Sequence, residues 1–130
     1  MDTTMQAVER GFLNITLWNY TADNSNERGD GWNGEDLSIW SLDQVQDEGD
    51  IHSGGRALAA VVRPYAIATN GTPLLMKFDI RSRRFEFQFK HWDQSSSSVP
   101  TLIFIPQYQF PTAPRIEISD GTYEYKAQEQ

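Results

Sequence analysis

No cysteine occurs in the 130 residues, which removes disulfides, thiolate zinc sites and thiol nucleophiles together. Histidine is almost as scarce: His52 and His91 alone do not furnish a zinc site. No apolar run approaches the ~18 residues that a membrane-crossing helix needs. The first residues lack a basic segment followed by an apolar core, so they do not read as a signal peptide. Basic charge is in the minority, with 11 Lys and Arg against 18 Asp and Glu. The resulting net charge of -7 argues against nucleic acid or an anionic membrane, since both want clustered Lys and Arg.

What remains is enough to fold. Hydrophobic residues at 38% and charged residues at 22% place the chain among globular sequences rather than disordered ones. The stretch around which it is organised is Asn14-Ile15-Thr16-Leu17-Trp18-Asn19-Tyr20, followed by a polar run from Thr21 to Trp40 that is rich in Gly and acids and holds Trp32. The first part reads as a buried strand over Leu13 to Tyr20. Ile15 and Leu17 face one way, and Asn14, Thr16 and Trp18 the other. The second part reads as a long loop, and two buriable indoles favour an ordered loop over a linker.

Before this strand, Met1, Met5, Val8 and Phe12 recur at helical spacing, with Asp2 or Thr3 as a cap and Gly11 as a left-handed stop. After the loop, Ser53 is placed to cap a second helix over 54–63, with Ala57, Leu58, Val61 and Val62 as its apolar face and Pro64 as its end. Helix, strand, long loop and helix form the closing unit of a (β/α)8 barrel, whose active site lies on the C-terminal face of the strands. A complete barrel needs roughly 250 residues, so the expected fold class is α/β followed by all-β. Residues 1–66 form the end of a barrel catalytic domain, and residues 67–130 an incomplete antiparallel β-sandwich.

The sandwich follows from a change of period. Met76, Phe78 and Ile80 alternate with charged residues, as do Phe85, Phe87 and Phe89. Folding about residues 81–84 sets Ile80 opposite Phe85, Phe78 opposite Phe87 and Met76 opposite Phe89. Asn70-Gly71-Thr72-Pro73 is read as a turn between modules and residues 93–98 as a Ser-rich loop. Leu102 to Ile105 reads as a short strand. Ile116 and Ile118, the Asp120-Gly121 turn, then Tyr123 and Tyr125 read as a second hairpin. The count comes to about five strands, where an isolated sandwich commonly has seven or more. Sequons stand at Asn14, Asn19 and Asn70; only Asn70, in the expected turn, is placed for glycosylation.

Several chemistries can be weighed on residue type alone. Glu35 and Asp36 are adjacent, which suits a solvated acid pair better than a hydrolytic one. Asp23 to Gly34 has the length of a calcium loop, but Arg28 stands where Gly is required and Gly34 where Glu is. Asp50, His52 and Ser53 invite comparison with a nucleophilic triad, whereas a helix-capping Ser53 explains the same residues. Gly54-Gly55 before a helix can receive an anion, a weak signal by itself. Arg81, Arg83 and Arg84 form a solvated hairpin tip or a lipid-headgroup contact. Trp32 and Trp40 can serve as stacking platforms in a stand-alone carbohydrate- or lipid-binding module.

The motifs Met1 to Met5, Leu13 to Thr21, Gly29 to Ile39, Gly54 to Ala57 and Val62 to Tyr65 resemble the C-terminal third of fungal endoglycoceramidase-related enzymes of glycoside hydrolase family 5. These act on β-glucosides of lipids such as glucosylceramide and steryl glucoside. The match is specific over the first 65 residues and weaker beyond. The resemblance implies that residues 13–20 are the eighth barrel strand and 54–63 the last barrel helix. It implies retaining hydrolysis by two glutamates roughly 5–5.5 Å apart, which by family pattern precede Met1, so no catalytic residue is expected in this chain and it is expected to be inactive alone. Trp18 matches the aromatic that lines the glucose subsite, and an indole suits the apolar face of a glucosyl ring; a core tryptophan is the plainer alternative. Asn19, Asp23 and Asn24 stand where they can bind sugar hydroxyls, or simply turn the loop. The expected partners are a glucosyl-lipid substrate, the remainder of the barrel and a peripheral membrane contact, without nucleic acid. No cofactor or metal is expected.

Overall fold

The computed structural model describes residues 1–16, 38–92 and 99–127. The chain divides into two compact units, Met1–Val61 and Val62–Gln130. The architecture is a small sheet-rich fold with few helices, and every strand pair among the described residues is antiparallel.

The first unit begins with α1 (Asp2–Gly11), as the apolar spacing requires. Its ends differ from expectation. Met1 is the N-cap without a side-chain hydrogen bond, and Asp2 Oδ2 instead accepts from Gln6 Nε2 at 2.9 Å. The left-handed residue is Phe12 (φ 52°), not Gly11. Phe12 N donates to Glu9 O and Leu13 N to Val8 O, both at 3.1 Å, the paired bonds of a Schellman stop. At Gly11 a Cβ would lie 3.1 Å from Leu13 Cγ, so a side chain there would require Leu13 to shift slightly. Leu13 to Thr16 are exposed and irregular. The rest of the expected eighth strand, residues 17–20, lies outside the described residues. A single strand needs ladder partners, and among the described residues none pairs with 13–16.

The expected ten-residue helix over 54–63 is also corrected. Only α2 (Leu58–Val61) is helical, and Ala57 before it takes φ 50°. Residues 50–57 are spent on turns, because the side chains of Asp50 and Ser53 bind nearby backbone rather than opening a helix. α1 and α2 lie in contact, and Glu9 and Ala60 are buried.

The second unit holds two two-stranded sheets: β1 (Tyr65–Ala68) with β4 (Leu102–Phe104), and β2 (Gly71–Asp79) with β3 (Arg84–His91). β1 was not anticipated. Residues 70–73 are not a turn, since β2 begins at Gly71. Pro73 is accommodated where the register shifts between Pro73 and Leu75, a place where a missing N–H costs little. The β2–β3 hairpin forms, but two residues away from the expected register: Phe78 faces Phe85 and Met76 faces Phe87. Asp79 Oδ1 accepts from Arg81 N at 2.8 Å and Ser82 N at 2.9 Å, so the chain turns earlier than residue 81. A shift of two preserves which face each side chain takes, so the apolar face survives the correction.

Around Ile116–Tyr125 the turn is present, with Gly121 at φ 82° and its N–H donating to Asp120 Oδ1 at 2.8 Å. No ladder flanks it among the described residues, and Ile118, Tyr123 and Tyr125 are exposed. An isolated hairpin is marginal without a third strand or a covering layer. The strand count is therefore four among the described residues rather than five. The Ser-rich loop at 93–98 lies outside the described residues.

The core of this unit is narrow. Phe78 and Pro64 are its largest fully buried side chains. The Phe78 ring meets Phe110 at 6.1 Å, and Tyr65 meets Phe104 at 5.4 Å across β1 and β4. Gln109, buried, donates from Nε2 to Val62 O at 2.8 Å.

Candidate functional site

Trp18, Asn19, Asp23 and Asn24, the residues expected to line a glucose subsite, lie outside the described residues, as do Trp32, Glu35 and Asp36. The concave surface that is described lies next along the chain, in the loop of residues 41–53.

This loop is closed at its neck by backbone. Trp40 and Gly55 form an antiparallel bridge, Ser41 N donates to Gly54 O at 3.0 Å, and Arg56 N donates to Ile39 O at 2.7 Å. Inside the neck, Leu42–Gln44 makes one 3-10 turn. Asp47 Oδ1 accepts from Gly49 N at 2.9 Å, and Asp50 Oδ1 from His52 N at 2.8 Å. Each is a carboxylate turning its own chain two residues on. Ser53 Oγ accepts from Gln46 N at 2.8 Å and Asp47 N at 3.0 Å, tying one side of the loop to the other. The result is a compact Ω-type loop packed by its own polar groups.

Gly54 permits the closure. It takes φ 82°, and a Cβ there would fall 2.6 Å from Ser41 O and 3.2 Å from Trp40 Nε1. Both facts require glycine.

Trp40 is the loop's fixed aromatic. Its Nε1 donates to Ser53 O at 3.0 Å, yet 48% of the residue remains exposed. Beside it opens a cleft of about 480 Å³, walled by Leu42, Val45 and Ile51 and edged by Asp47 and Asp50. An indole held by its N–H offers a ring face at no further ordering cost, and nearby carboxylate oxygens can accept from hydroxyls. The arrangement is an open surface of mixed apolar and acidic character beside the indole, with Leu42 and Ile51 themselves exposed.

The triad comparison fails on this geometry. Ser53 Oγ and Asp50 Oδ1 are both committed to backbone N–H groups of the loop, and Ser53 caps the loop rather than a helix. Among the described residues no group of three or more His, Asp or Glu is arranged to hold a metal. Trp40 reads in the sequence as a buriable indole and, in the alternative, as a stacking platform; it is half-exposed. Its lock on Ser53 was not legible, because a contact across 13 residues leaves no local pattern.

A second constellation sits at the β2–β3 tip. Arg81, Ser82, Arg83 and Arg84 are all exposed, and Arg83 is left-handed at φ 53°. The Asp79 carboxyl beneath them is held below its ordinary pKa of 3.8, first by the Ser82 N–H and then by the Arg81 N–H.

Comparison with known proteins places the chain as a whole. Residues 63–130 match the glycoside hydrolase family 5 C-terminal domain. A glucosylceramidase of Rhizopus delemar is 36% identical over 85% of the chain, and an ergosteryl-beta-glucosidase of Saccharomyces cerevisiae is 26% identical over all of it. The crystal structure of Cryptococcus neoformans sterylglucosidase 1 superposes with a TM-score of 0.65 at 42% identity, covering 81% of this chain and 16% of that one. The chain spans 18% of the Rhizopus relative and 24% of the yeast one.

Proposed function

The chain belongs to glycoside hydrolase family 5, whose C-terminal domain it carries at residues 63–130, and from that premise we propose that it is the C-terminal segment of a retaining β-glycosidase of glucosyl lipids. The observation that carries this reading is the agreement of the relatives. A glucosylceramidase and an ergosteryl-beta-glucosidase both align across most or all of the chain. The shared feature of their named substrates is a glucosyl group on a lipid, so glucosylceramide and steryl β-glucoside are the two candidates.

In this reading residues 1–66 close the catalytic barrel and residues 67–130 are the accessory β-sandwich. Trp18 stacks on the glucose ring, while Asn19, Asp23 and Asn24 bind its hydroxyls. The catalytic glutamates belong to the remainder of the barrel, with which this segment packs. The exposure of Leu13 and Ile15 in the first unit, and of Tyr65, Ile67 and Leu102 in the second, supports such packing, because apolar surface left in water is stabilised by being covered.

The test has two arms. The 130-residue chain alone is expected to give no turnover of an aryl β-glucoside; turnover abolished by Glu35→Gln would move catalysis into this chain and overturn the reading. A chimera in which this chain replaces the matching part of the Rhizopus glucosylceramidase is expected to hydrolyse a glucosyl lipid. Trp18→Ala in that chimera is expected to raise KM for the glucoside about tenfold, the loss of about 1.4 kcal/mol of ring stacking.

Trp40 favours a second reading, of a carbohydrate- or lipid-binding module without catalysis. Its exposed, hydrogen-bonded indole beside a cleft is a binding feature that needs no catalytic glutamate. Quenching of Trp40 emission by octyl β-glucoside in the isolated chain would support this reading.

A further inference from the structure

The cations of this chain are not distributed like its anions. Among the described residues Arg115 pairs with Glu117 and Lys126 with Glu124. Arg56 donates to Gln44 and Arg63 to Phe78 O. Arg10 and Lys90 are exposed with no ion pair among the described residues, and at the β2–β3 tip three arginines fall together in sequence. The guanidinium groups of Arg81 and Arg83 have no partner among the described residues, and Arg84 reaches Glu86 only at 4.0 Å while remaining 78% exposed. Within this hairpin end, Lys77, Arg81, Arg83 and Arg84 outnumber Asp79 and Glu86, on a chain whose net charge is -7.

The fold fixes this reversal of sign in space. Cross-strand register sets Lys77 opposite Glu86 and Asp79 opposite Arg84, which places charges of opposite sign across the strands. Arg81 and Arg83 lie beyond the last pair. They are carried on a turn held by two N–H bonds to Asp79 Oδ1. The turn presents two guanidiniums, with Arg84 behind them, at the end of a stiff ribbon.

We propose that the β2–β3 hairpin tip is a docking point for an anionic phospholipid surface, with Arg81 and Arg83 binding lipid phosphates. It deepens the glycosidase reading, on which it rests for the membrane as the place where the substrate is met. A guanidinium binds phosphate through paired N–H donors. Among the described residues Ile80, next to the arginines, is half-buried rather than exposed, which fits a flat array of phosphates better than a protein partner, whose interface would need an apolar centre. At about 0.1 M salt, fields fall off within ~10 Å. The tip can therefore meet an anionic leaflet through its own local charge, in which Lys77, Arg81, Arg83 and Arg84 outnumber Asp79 and Glu86. Each basic residue near such a surface contributes about fivefold to partitioning, so Arg81 and Arg83 together contribute about 25-fold.

The experiment is vesicle co-sedimentation of the 130-residue chain with large vesicles of phosphatidylcholine, alone or mixed with phosphatidylserine. The expected result is partitioning onto the mixed vesicles only, reversed by high salt. Arg81→Gln with Arg83→Gln is expected to lower it about 25-fold without changing the circular dichroism spectrum. Arg115→Gln with Lys126→Gln makes the same charge change elsewhere and is expected to leave partitioning as it was. Equal partitioning onto neutral vesicles, equal loss in the control pair, or no partitioning at all would each overturn the proposal. Retention on poly-glutamate resin with no vesicle binding would assign the tip to an acidic protein surface instead. The vesicles contain no glucosyl lipid, so failure here leaves the glycosidase reading standing, and an inactive chimera leaves vesicle binding to be judged by itself.

Discussion

Arg63 holds its guanidinium carbon 5.0 Å from the centroid of the Phe78 ring while donating from Nη2 to the carbonyl oxygen of Phe78 at 2.8 Å. Phe78 is fully buried and Arg63 nearly so, at 5% exposure. A cation is thus built into the centre of the second unit, with its charge spread over a ring face and its donor spent on β2 backbone. The Val-Arg-Pro-Tyr motif that contributed to the family resemblance places this residue just before β1, where it ties the entrance of the unit to the C-terminal end of β2.

Truncating this arginine should be among the most damaging substitutions in the unit. Arg63→Ala removes the ring contact, opens a cavity and leaves the Phe78 carbonyl without this donor, a loss of about 3 kcal/mol. Arg63→Met keeps most of the volume and should cost less, about 1–2 kcal/mol. Urea unfolding midpoints of the two variants should rank wild type above Arg63→Met above Arg63→Ala. An unchanged midpoint for Arg63→Ala would show that the contact contributes nothing net.

Asp79 should give the hairpin a defined acid dependence. Its folded carboxyl titrates below the ordinary 3.8 because Ser82 N–H, and then Arg81 N–H, donate to the ionised form. A group depressed on folding contributes stability that is present above the unfolded pKa and lost as pH falls through the folded one. The contribution is therefore full at neutral pH, begins to fall near the unfolded aspartate value of about 3.9, and is gone once the folded carboxyl is protonated. Carbon-detected titration of the Asp79 carboxyl should place its midpoint below that of an unfolded aspartate. Asp79→Ala should be less stable at neutral pH, with the difference from wild type shrinking in acid.

The same residue shows what the sequence revealed and what it hid. Alternation of Met76, Phe78, Phe85 and Phe87 was enough to identify two strands and their shared apolar face, because a period of two is written in the residues themselves. Alternation cannot separate registers that differ by two, and the choice was made by Asp79 folding onto its own turn. The family was legible in short motifs, and residues 63–130 match its C-terminal domain. Ser53 was recognised as a capping side chain but assigned to a helix. Its actual donors, Gln46 and Asp47, precede it, and a cap that reaches backwards has no helix-start pattern. The hairpin at Ile116–Tyr125 failed for the opposite reason: the local turn is right, yet nothing in the sequence says whether a third strand will cover it. The glucose-subsite residues Trp18, Asn19, Asp23 and Asn24 lie outside the described residues.

Ser53 and Gly54 should control the loop that carries Trp40. Ser53→Ala removes the acceptor for two backbone N–H groups and should cost about 1–2 kcal/mol. Gly54→Ala must place a side chain at φ 82° and against Ser41 O, and should cost about 2 kcal/mol or more. In a variant whose only tryptophan is Trp40, both changes should shift emission to the red and increase acrylamide quenching. Emission that stays at its original wavelength in both variants would mean that Trp40 is not held by this lock.

The hairpin register yields a test that the absence of cysteine makes clean. With no native thiol in the chain, any disulfide formed in a double-cysteine variant must be the engineered one. Lys77 and Glu86 are cross-strand partners, whereas the alternation-based register would oppose Lys77 to Gln88. Directly opposed residues lie within the ~4.4–6.8 Å Cα separation that a disulfide accepts, while diagonal neighbours have side chains ~7–8 Å apart. Lys77→Cys with Glu86→Cys should therefore oxidise readily and raise the thermal midpoint, by a stabilisation of about 2 kcal/mol for so short a loop. Lys77→Cys with Gln88→Cys should oxidise poorly or lower the midpoint, because bridging it requires the strands to slide. If the second pair closes readily and the first does not, the turn forms about residues 81–84 after all. Arg81 and Arg83 lie in the turn in either register, so this test decides the strand pairing alone and leaves the membrane-docking proposal to its own experiment.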